Sequence, residues 1–246
     1  MPNQYFQHLN GSHDGIRLPE DQRVYAIGDI HGRLDLLRKL HEIIEDDMAE
    51  NPKDANTVVY LGDYVDRGPD SAGVIETLAT SAPAGTATAH IMGNHDYFMV
   101  DFLDGTGDLG HWLMNGGDDT LRSYGIDDSA EPAQLQEALL DVIPDHHLSF
   151  LKGLSLSHSV GSLFFAHAGI NPDVSLEAQT PEDLMWIREP FLSWPKAMDT
   201  VVVHGHTPRP EPEVARHRIG TDTLAWKSGH LTAAVLENGH VRFLST

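Results

Sequence analysis

Five short apolar runs along the chain each stop at glycine beside a side chain that can bind a cation. Thr57-Val58-Val59-Tyr60-Leu61 enters Gly62-Asp63-Tyr64-Val65-Asp66-Arg67-Gly68, and Val24-Tyr25-Ala26-Ile27 enters Gly28-Asp29-Ile30-His31-Gly32. Ala89-His90-Ile91-Met92 enters Gly93-Asn94-His95-Asp96, Leu163-Phe164-Phe165-Ala166 enters His167-Ala168-Gly169, and Thr200-Val201-Val202-Val203 enters His204-Gly205-His206-Thr207. Runs of this kind read as buried strands. Glycine lets the chain turn sharply where each strand ends, and open α/β sheets place their ligands at such carboxyl ends. One occurrence is an ordinary turn with solvated charges. Five point to one shared site.

Helical patterns separate the first strands. Leu37, Leu40, Ile44 and Met48 form one face, with Leu36 and Ile43 beside it, until Asn51-Pro52. Ser71 is placed to cap a second helix carrying Val74, Ile75 and Leu78. A strand over 86–92 follows, so the order suggests βαβ units with parallel strands. Residues 94–151 read as helical, over 97–103, 109–114, 120–124 and 132–143, and are expected to cap the sheet. The remainder reads as β: a hairpin of 154–157 and 162–166, then strands at 200–203, 218–221, 231–237 and 240–244, the last two joined at Asn238-Gly239. Thr180-Pro181 opens one short helix through Ile187, with Asp183 three residues after Thr180. No internal repeat appears beyond the strand-end theme, and the polar loop around Glu211-Pro212-Glu213 is too short for a domain linker.

The 246 residues are 40% hydrophobic, enough for a sizeable core. No apolar run approaches a membrane span, and the stretch 1–22 reads as a polar extension without the apolar segment of a secretory signal, ahead of one domain at 23–246. There is no cysteine, so any metal must use oxygen and nitrogen ligands. A cytoplasmic location is the simplest expectation. The formal net charge of −21 argues against a broad nucleic-acid surface. It also means that any anionic ligand would depend on bound cations and a few arginines.

The motifs GDIHG, GDYVDRG, GNHD, HAG and HGHT, in this order from Gly28 to Thr207, resemble the PPP family of serine/threonine phosphoprotein phosphatases, within the calcineurin-like metallophosphoesterases. The resemblance implies an α/β fold, an α/β/β/α sandwich with a helical cap segment. It implies two divalent metal ions, the first held by Asp29, His31 and Asp63 and the second by Asp63, Asn94, His167 and His206. Such O/N sets suit manganese, iron or zinc. Two cations ~3.5–4 Å apart make hydroxide available near neutral pH and clamp the phosphoryl oxygens for in-line displacement, without a phosphoenzyme.

By the same resemblance, Arg67 and Arg188 bind phosphate together with Asn94, and His95 protonates the departing oxygen while Asp66 holds its imidazole. A bland reading of Arg188 is an ion pair with Glu182 or Glu189. The stretch Trp112-Leu113-Met114-Asn115-Gly116-Gly117 resembles one that borders the substrate groove in bacterial and phage members, and carries no assigned chemistry. Asp222-Thr223 resembles a late Asp-Thr pair, but Leu224 stands where glycine is usual, so no role is attached to it. Most of the other twelve histidines, among them His8, His13, His41, His90, His111, His146 and His147, are expected at the surface or as satisfied polar groups.

The leading functional expectation is a phosphomonoesterase acting on phosphoserine or phosphothreonine in proteins, with no nucleic-acid or membrane partner. The alternatives are a symmetrical dinucleoside tetraphosphate hydrolase, a broad-specificity phosphoesterase and a non-catalytic scaffold. The scaffold should have lost a ligand, and none of the motif ligands is missing.

Overall fold

A computed structural model describes residues 6–196 and 198–246; Met1–Tyr5, the start of the stretch read as a polar extension, lie outside them. The strands are β1 (Gly11–Ser12), β2 (Gln22–Ile27), β3 (Ala55–Tyr60), β4 (Ala87–His90), β5 (Ser157–Val160), β6 (Leu163–Ala166), β7 (Val201–His204), β8 (Glu213–Val214), β9 (Arg218–Gly220), β10 (Thr232–Glu237) and β11 (His240–Ser245). The helices are α1 (Leu34–Glu50), α2 (Ser71–Thr80), α3 (Asn94–Asp104), α4 (Leu109–Trp112), α5 (Asp118–Ser123), α6 (Pro132–Val142), α7 (Asp145–Lys152), α8 (Pro181–Trp186) and α9 (Ala225–Ser228).

One sheet runs β1-β11-β10-β2-β3-β4 and the other β5-β6-β7-β9-β8. β2, β3 and β4 are mutually parallel, as are β6, β7 and β9, while the flanking strands pair antiparallel. Alternation along each strand builds the layers. Tyr25, Ile27, Val58, Tyr60, Ala233 and Val235 face α1, α2 and the helices after α3. Their neighbours Val24, Ala26, Val59, Ala234 and Leu236 face Leu163, Phe165, Val201, Val203 and Ile219 of the second sheet. Phe164, Ala166 and Val202 point away on the far side, against Leu184 of α8 and Phe191. The result is the expected helix/sheet/sheet/helix sandwich, with α3–α7 as the helical cap. Among the described residues, no helix is long and apolar enough to cross a membrane.

The described part of the 1–22 stretch joins the sandwich: β1 pairs with β11, and Ile16 and Leu18 are buried between the sheets. Several element boundaries differ from expectation for local reasons. Asp70, not Ser71, caps α2, because its carboxylate accepts the Gly73 amide; the Ser71 hydroxyl is turned inward and accepts the Asp66 amide. The first hairpin strand starts at Ser157 rather than Leu154, since Leu154 packs against the helical core and Ser155 makes an isolated bridge to Ile91. Thr180 and Asp183 form the anticipated capping box.

Candidate metal centre and active site

Asp29, Asp63 and Asn94 follow β2, β3 and β4 of one sheet, and His167 and His206 follow β6 and β7 of the other. The turns that carry them are contorted. Of eight non-glycine residues with positive φ among those described, five are His31 (46°), Asp63 (53°), Asp66 (74°), Arg67 (69°) and His206 (61°). Left-handed backbone at such residues costs roughly 1–3 kcal/mol each and persists only where the surroundings enforce it. Here the amides of Ile30 and His31 both donate to Asp63 O, at 3.1 and 2.8 Å. The Asp96 carboxylate accepts the amides of Asp63 (2.8 Å), Tyr64 (2.9 Å) and Gly93 (2.9 Å). Glycine is also needed sterically: a Cβ at Gly93 would overlap Asp63 Oδ1, and one at Gly205 would overlap Asp29 Oδ1.

These turns bring the expected ligands together. His31 donates through Nδ1 to Val65 O and His167 through Nδ1 to Leu61 O, each at 2.8 Å, which turns Nε2 of each ring toward Asp63. His31 Nε2 lies 3.5 Å from Asp63 Oδ2, and His167 Nε2 lies 3.4 Å from Asp63 Oδ1. One carboxylate therefore offers a different oxygen to each side, as a bridging ligand must. Asn94 Oδ1 is 3.0 Å from both His167 Nε2 and His206 Nδ1. Ligand atoms of His31, Asp63 and His95 form one tight group, and those of Asp63, His167 and His206 another. Imidazole nitrogens and carboxylate oxygens converging on one point suit a cation held between them. The spacings match the edge of a coordination shell with ligands at ~2.1 Å. The residues thus fit divalent cations on both sides of Asp63. Asp29 lies outside the two tight groups but lines the same cavity, its carboxylate receiving the His206 amide at 3.1 Å.

Charge tells the same story. Burial pushes His31 and His206 down to about 3, which leaves neutral imidazoles ready to ligate. Burial alone would lower His167 too, yet the carboxylates of Asp63 and Asp29 push it up to about 10. Burial, then the nearby Asp222 carboxylate, raises Asp29 well above the usual range. Asp222 itself is pushed to about 6, chiefly by burial. An enclosed excess of carboxylate demands positive charge.

His95 Nδ1 meets Asp66 Oδ2 at 2.6 Å, with both side chains buried. Burial would lower His95, but the Asp63 and Asp66 carboxylates prevail and raise it above its ordinary value. Asp66 also accepts the Trp112 indole N–H at 3.1 Å and the Thr120 hydroxyl at 2.8 Å. The cap thereby fixes the acid that holds the histidine. A Cβ on Gly116 (φ 106°) would press on Arg67, and Gly116 O accepts the Arg67 amide.

The cavity is lined by Arg67, Arg188, Asn94 and His95 with Asp29, His31, Asp63 and His206, and by His111, Asn115, Trp186 and Asp222. Arg188 makes no ion pair with Glu182 or Glu189 among the described residues, so the bland reading of it fails. Arg67 Nη1 lies on His31 Nε2 at 2.9 Å. His204, two residues before His206, is buried against Phe191 and does not line the cavity. The sequence reading missed Asp96, Trp112, Thr120 and Asp222. The final Asp of GNHD, the Trp of the WLMNGG stretch and the Asp-Thr pair were visible, but nothing local tied them to the site.

Comparison with known proteins agrees. The calcineurin-like phosphoesterase family profile matches residues 22–242. The chain is 31% identical over 149 residues to serine/threonine-protein phosphatase 2 of Escherichia coli, covering 60% of this chain and 56% of that protein. It is 33% identical over 149 residues to the symmetrical bis(5'-nucleosyl)-tetraphosphatase of Methylococcus capsulatus, covering 61% and 44%. The match thus spans about half the length of these two relatives. Serine/threonine-protein phosphatase 1 of Salmonella typhimurium is 32% identical over 224 residues, 88% of this chain and 93% of that one. A crystal structure titled as a diadenosine tetraphosphatase superposes with a TM-score of 0.65 at 22% identity, covering 96% of this chain and 98% of that chain, and supports the fold alone. With a family match over nearly its whole length and a ligand from every motif gathered around Asp63 and Asn94, the chain belongs to the calcineurin-like phosphoesterases, metal-dependent hydrolases of phosphate esters.

Proposed function

We propose that this chain removes phosphate from phosphoserine and phosphothreonine in proteins. The observation that carries the reading is the buried His95–Asp66 pair beside the metal ligands. An alkoxide leaves phosphorus poorly, and a charged imidazole positioned by a carboxylate is the group that supplies its proton. Bound to Asp29, His31, Asp63, Asn94, His167 and His206, two divalent cations would supply Lewis acidity for the phosphoryl oxygens and the attacking water. The chain's own side chains do the rest. Arg67 and Arg188 grip phosphoryl oxygens by charge-assisted hydrogen bonds. Asn94, as both ligand and amide donor, orients the ester. His95 holds its proton on Nε2, since Nδ1 is committed to Asp66. Among the described residues, no serine, threonine or cysteine lines the cavity, which favours direct attack by water.

A second reading, hydrolysis of a dinucleoside tetraphosphate, is favoured by a trough beyond Arg67 lined by Arg33, Arg38 and Trp226. Arg33 is paired with Asp35 and Asp70 also lines the trough, so Arg38 and the Trp226 indole are what suit a further phosphate and a base, and relatives carry that name. Phosphopeptides and a dinucleoside tetraphosphate, each assayed with manganese, separate the two. A higher kcat/KM on phosphopeptides is expected; a value at least tenfold higher on the tetraphosphate would reverse the assignment.

A further inference from the structure

Away from the cavity, α2 and α7 bring three ligand side chains to one point. His146 Nε2 lies 2.7 Å and His147 Nε2 2.8 Å from the same oxygen, Glu76 Oε2. The rings meet edge to face, 4.5 Å between centroids. Successive residues on a helix diverge by about 100°, so convergence of both ring nitrogens on one oxygen depends on the first turn of α7, where both rings reach back across α2. His147 is held firmly: its side chain is 4% exposed, and its Nδ1 lies 2.9 Å from the Tyr124 hydroxyl at the end of α5. Glu76 and His146 are about half exposed. None of the three lines the cavity around Asp63.

We propose that Glu76, His146 and His147 form a further metal site, for a zinc-class transition cation. Two imidazoles and one carboxylate with a fourth position open to water are a donor set that zinc accepts, and one too nitrogen-rich for magnesium or calcium. The Tyr124 hydroxyl makes the site serviceable in two states. Without metal, both rings donate to Glu76, and the tyrosine donates to His147 Nδ1. With metal, Nε2 carries the lone pair, and His147 Nδ1–H donates to the tyrosine oxygen instead. A hydroxyl serves equally as donor or acceptor, and such a partner on the second nitrogen orients a ligating histidine. Coordination at ~2.0–2.1 Å in a tetrahedron widens the oxygen–nitrogen spacings by about half an ångström. The half-exposed Glu76 side chain is free to supply that movement, while His147 stays fixed. The bound ion would tie the cap helix α7 to α2 of the scaffold.

The test uses the full chain carrying Asp63→Asn, which removes the shared ligand of the cavity, stripped of metal and then titrated with zinc. One zinc equivalent and a raised Tm are expected. Adding His146→Ala should abolish both, and adding Tyr124→Phe should weaken binding roughly tenfold while keeping the ring packing. In the otherwise native chain, His146→Ala should lower the zinc content at saturation by one per molecule. Equal zinc content with and without His146, or a Tm that zinc raises equally in both, would overturn the proposal. So would binding no tighter than millimolar, which is what a plain histidine–glutamate ion pair would show.

Discussion

Arg67 Nη1 donates to His31 Nε2 across 2.9 Å, the same nitrogen that faces Asp63. That nitrogen has one lone pair, so it serves either the guanidinium or a cation. A metal at the first position therefore frees Arg67 to turn toward the phosphoryl group. For Arg67→Ala, phosphate should inhibit about 10- to 100-fold more weakly, the loss of a charge-assisted contact of roughly 1.5–3 kcal/mol. Manganese should bind no worse, and better at the first position. Inhibition constants at saturating manganese and a metal titration check the two halves, and an unchanged phosphate constant would remove Arg67 from substrate binding.

Asp63 gives one oxygen to each ligand group, so Asp63→Asn should empty both positions together rather than one. Exhaustive chelation of the parent should have the same effect on activity. Elemental analysis of both samples beside a phosphate-release assay is the measurement. Activity persisting in demonstrably metal-free protein, or two cavity metals in the variant bound as tightly as in the parent, would contradict the bridging geometry.

His95→Asn should be judged by leaving group. Proton donation is typically worth ~10²–10⁴ in rate. Most of that should vanish on phosphoserine peptides and distinctly less on nitrophenyl phosphate, whose leaving group needs little help. Asp66→Asn should follow the same pattern in milder form, since Asp66 acts through the imidazole. Single-turnover rates with metal content monitored isolate the chemical step, and equal losses on both substrates would give His95 another task.

Asp47 anchors a polar knot away from the site. It accepts from Tyr25 OH at 2.6 Å and from Arg242 at 2.7 and 2.8 Å, with Arg23 at 3.5 Å. Burial pushes its carboxyl up, but these partners outweigh burial and hold it below its ordinary value. A carboxyl whose folded value is depressed stabilises fully above its unfolded value and loses that stabilisation as pH falls through the folded one. Stability should therefore fall below about pH 4 more steeply in the parent than in Asp47→Asn. At neutral pH the variant should be less stable by roughly 1–3 kcal/mol, because Arg242 loses its bidentate carboxylate while Arg23 keeps Glu237. Denaturant melts of both proteins across the acid range decide it.

The strand-end residues were readable because each sits beside the glycine that its own turn requires, so sequence neighbours are also site neighbours. The His95–Asp66 pair was readable only through the family motifs. What holds it was hidden: Trp112 and Thr120 reach Asp66 from 46 and 54 residues away. The helix at Asn94 starts earlier than its apolar pattern, since Asp96 closes the turn on Gly93 and the first residues of α3 face the cavity. His146 and His147 looked like surface polar residues because their common partner, Glu76, belongs to a different helix.

The site draws four of its motif ligands, Asp29, His31, Asp63 and Asn94, from the first sheet and two, His167 and His206, from the second. Neither half of the chain can assemble it alone. A divalent ion there is a rivet through both layers: only the docked sandwich offers the full ligand set, so occupancy penalises any opening of the seam. At a free metal concentration a hundred times the dissociation constant, one such ion adds about 2.7 kcal/mol to the folded state. Metal supply would then govern how long the protein survives as well as how fast it works.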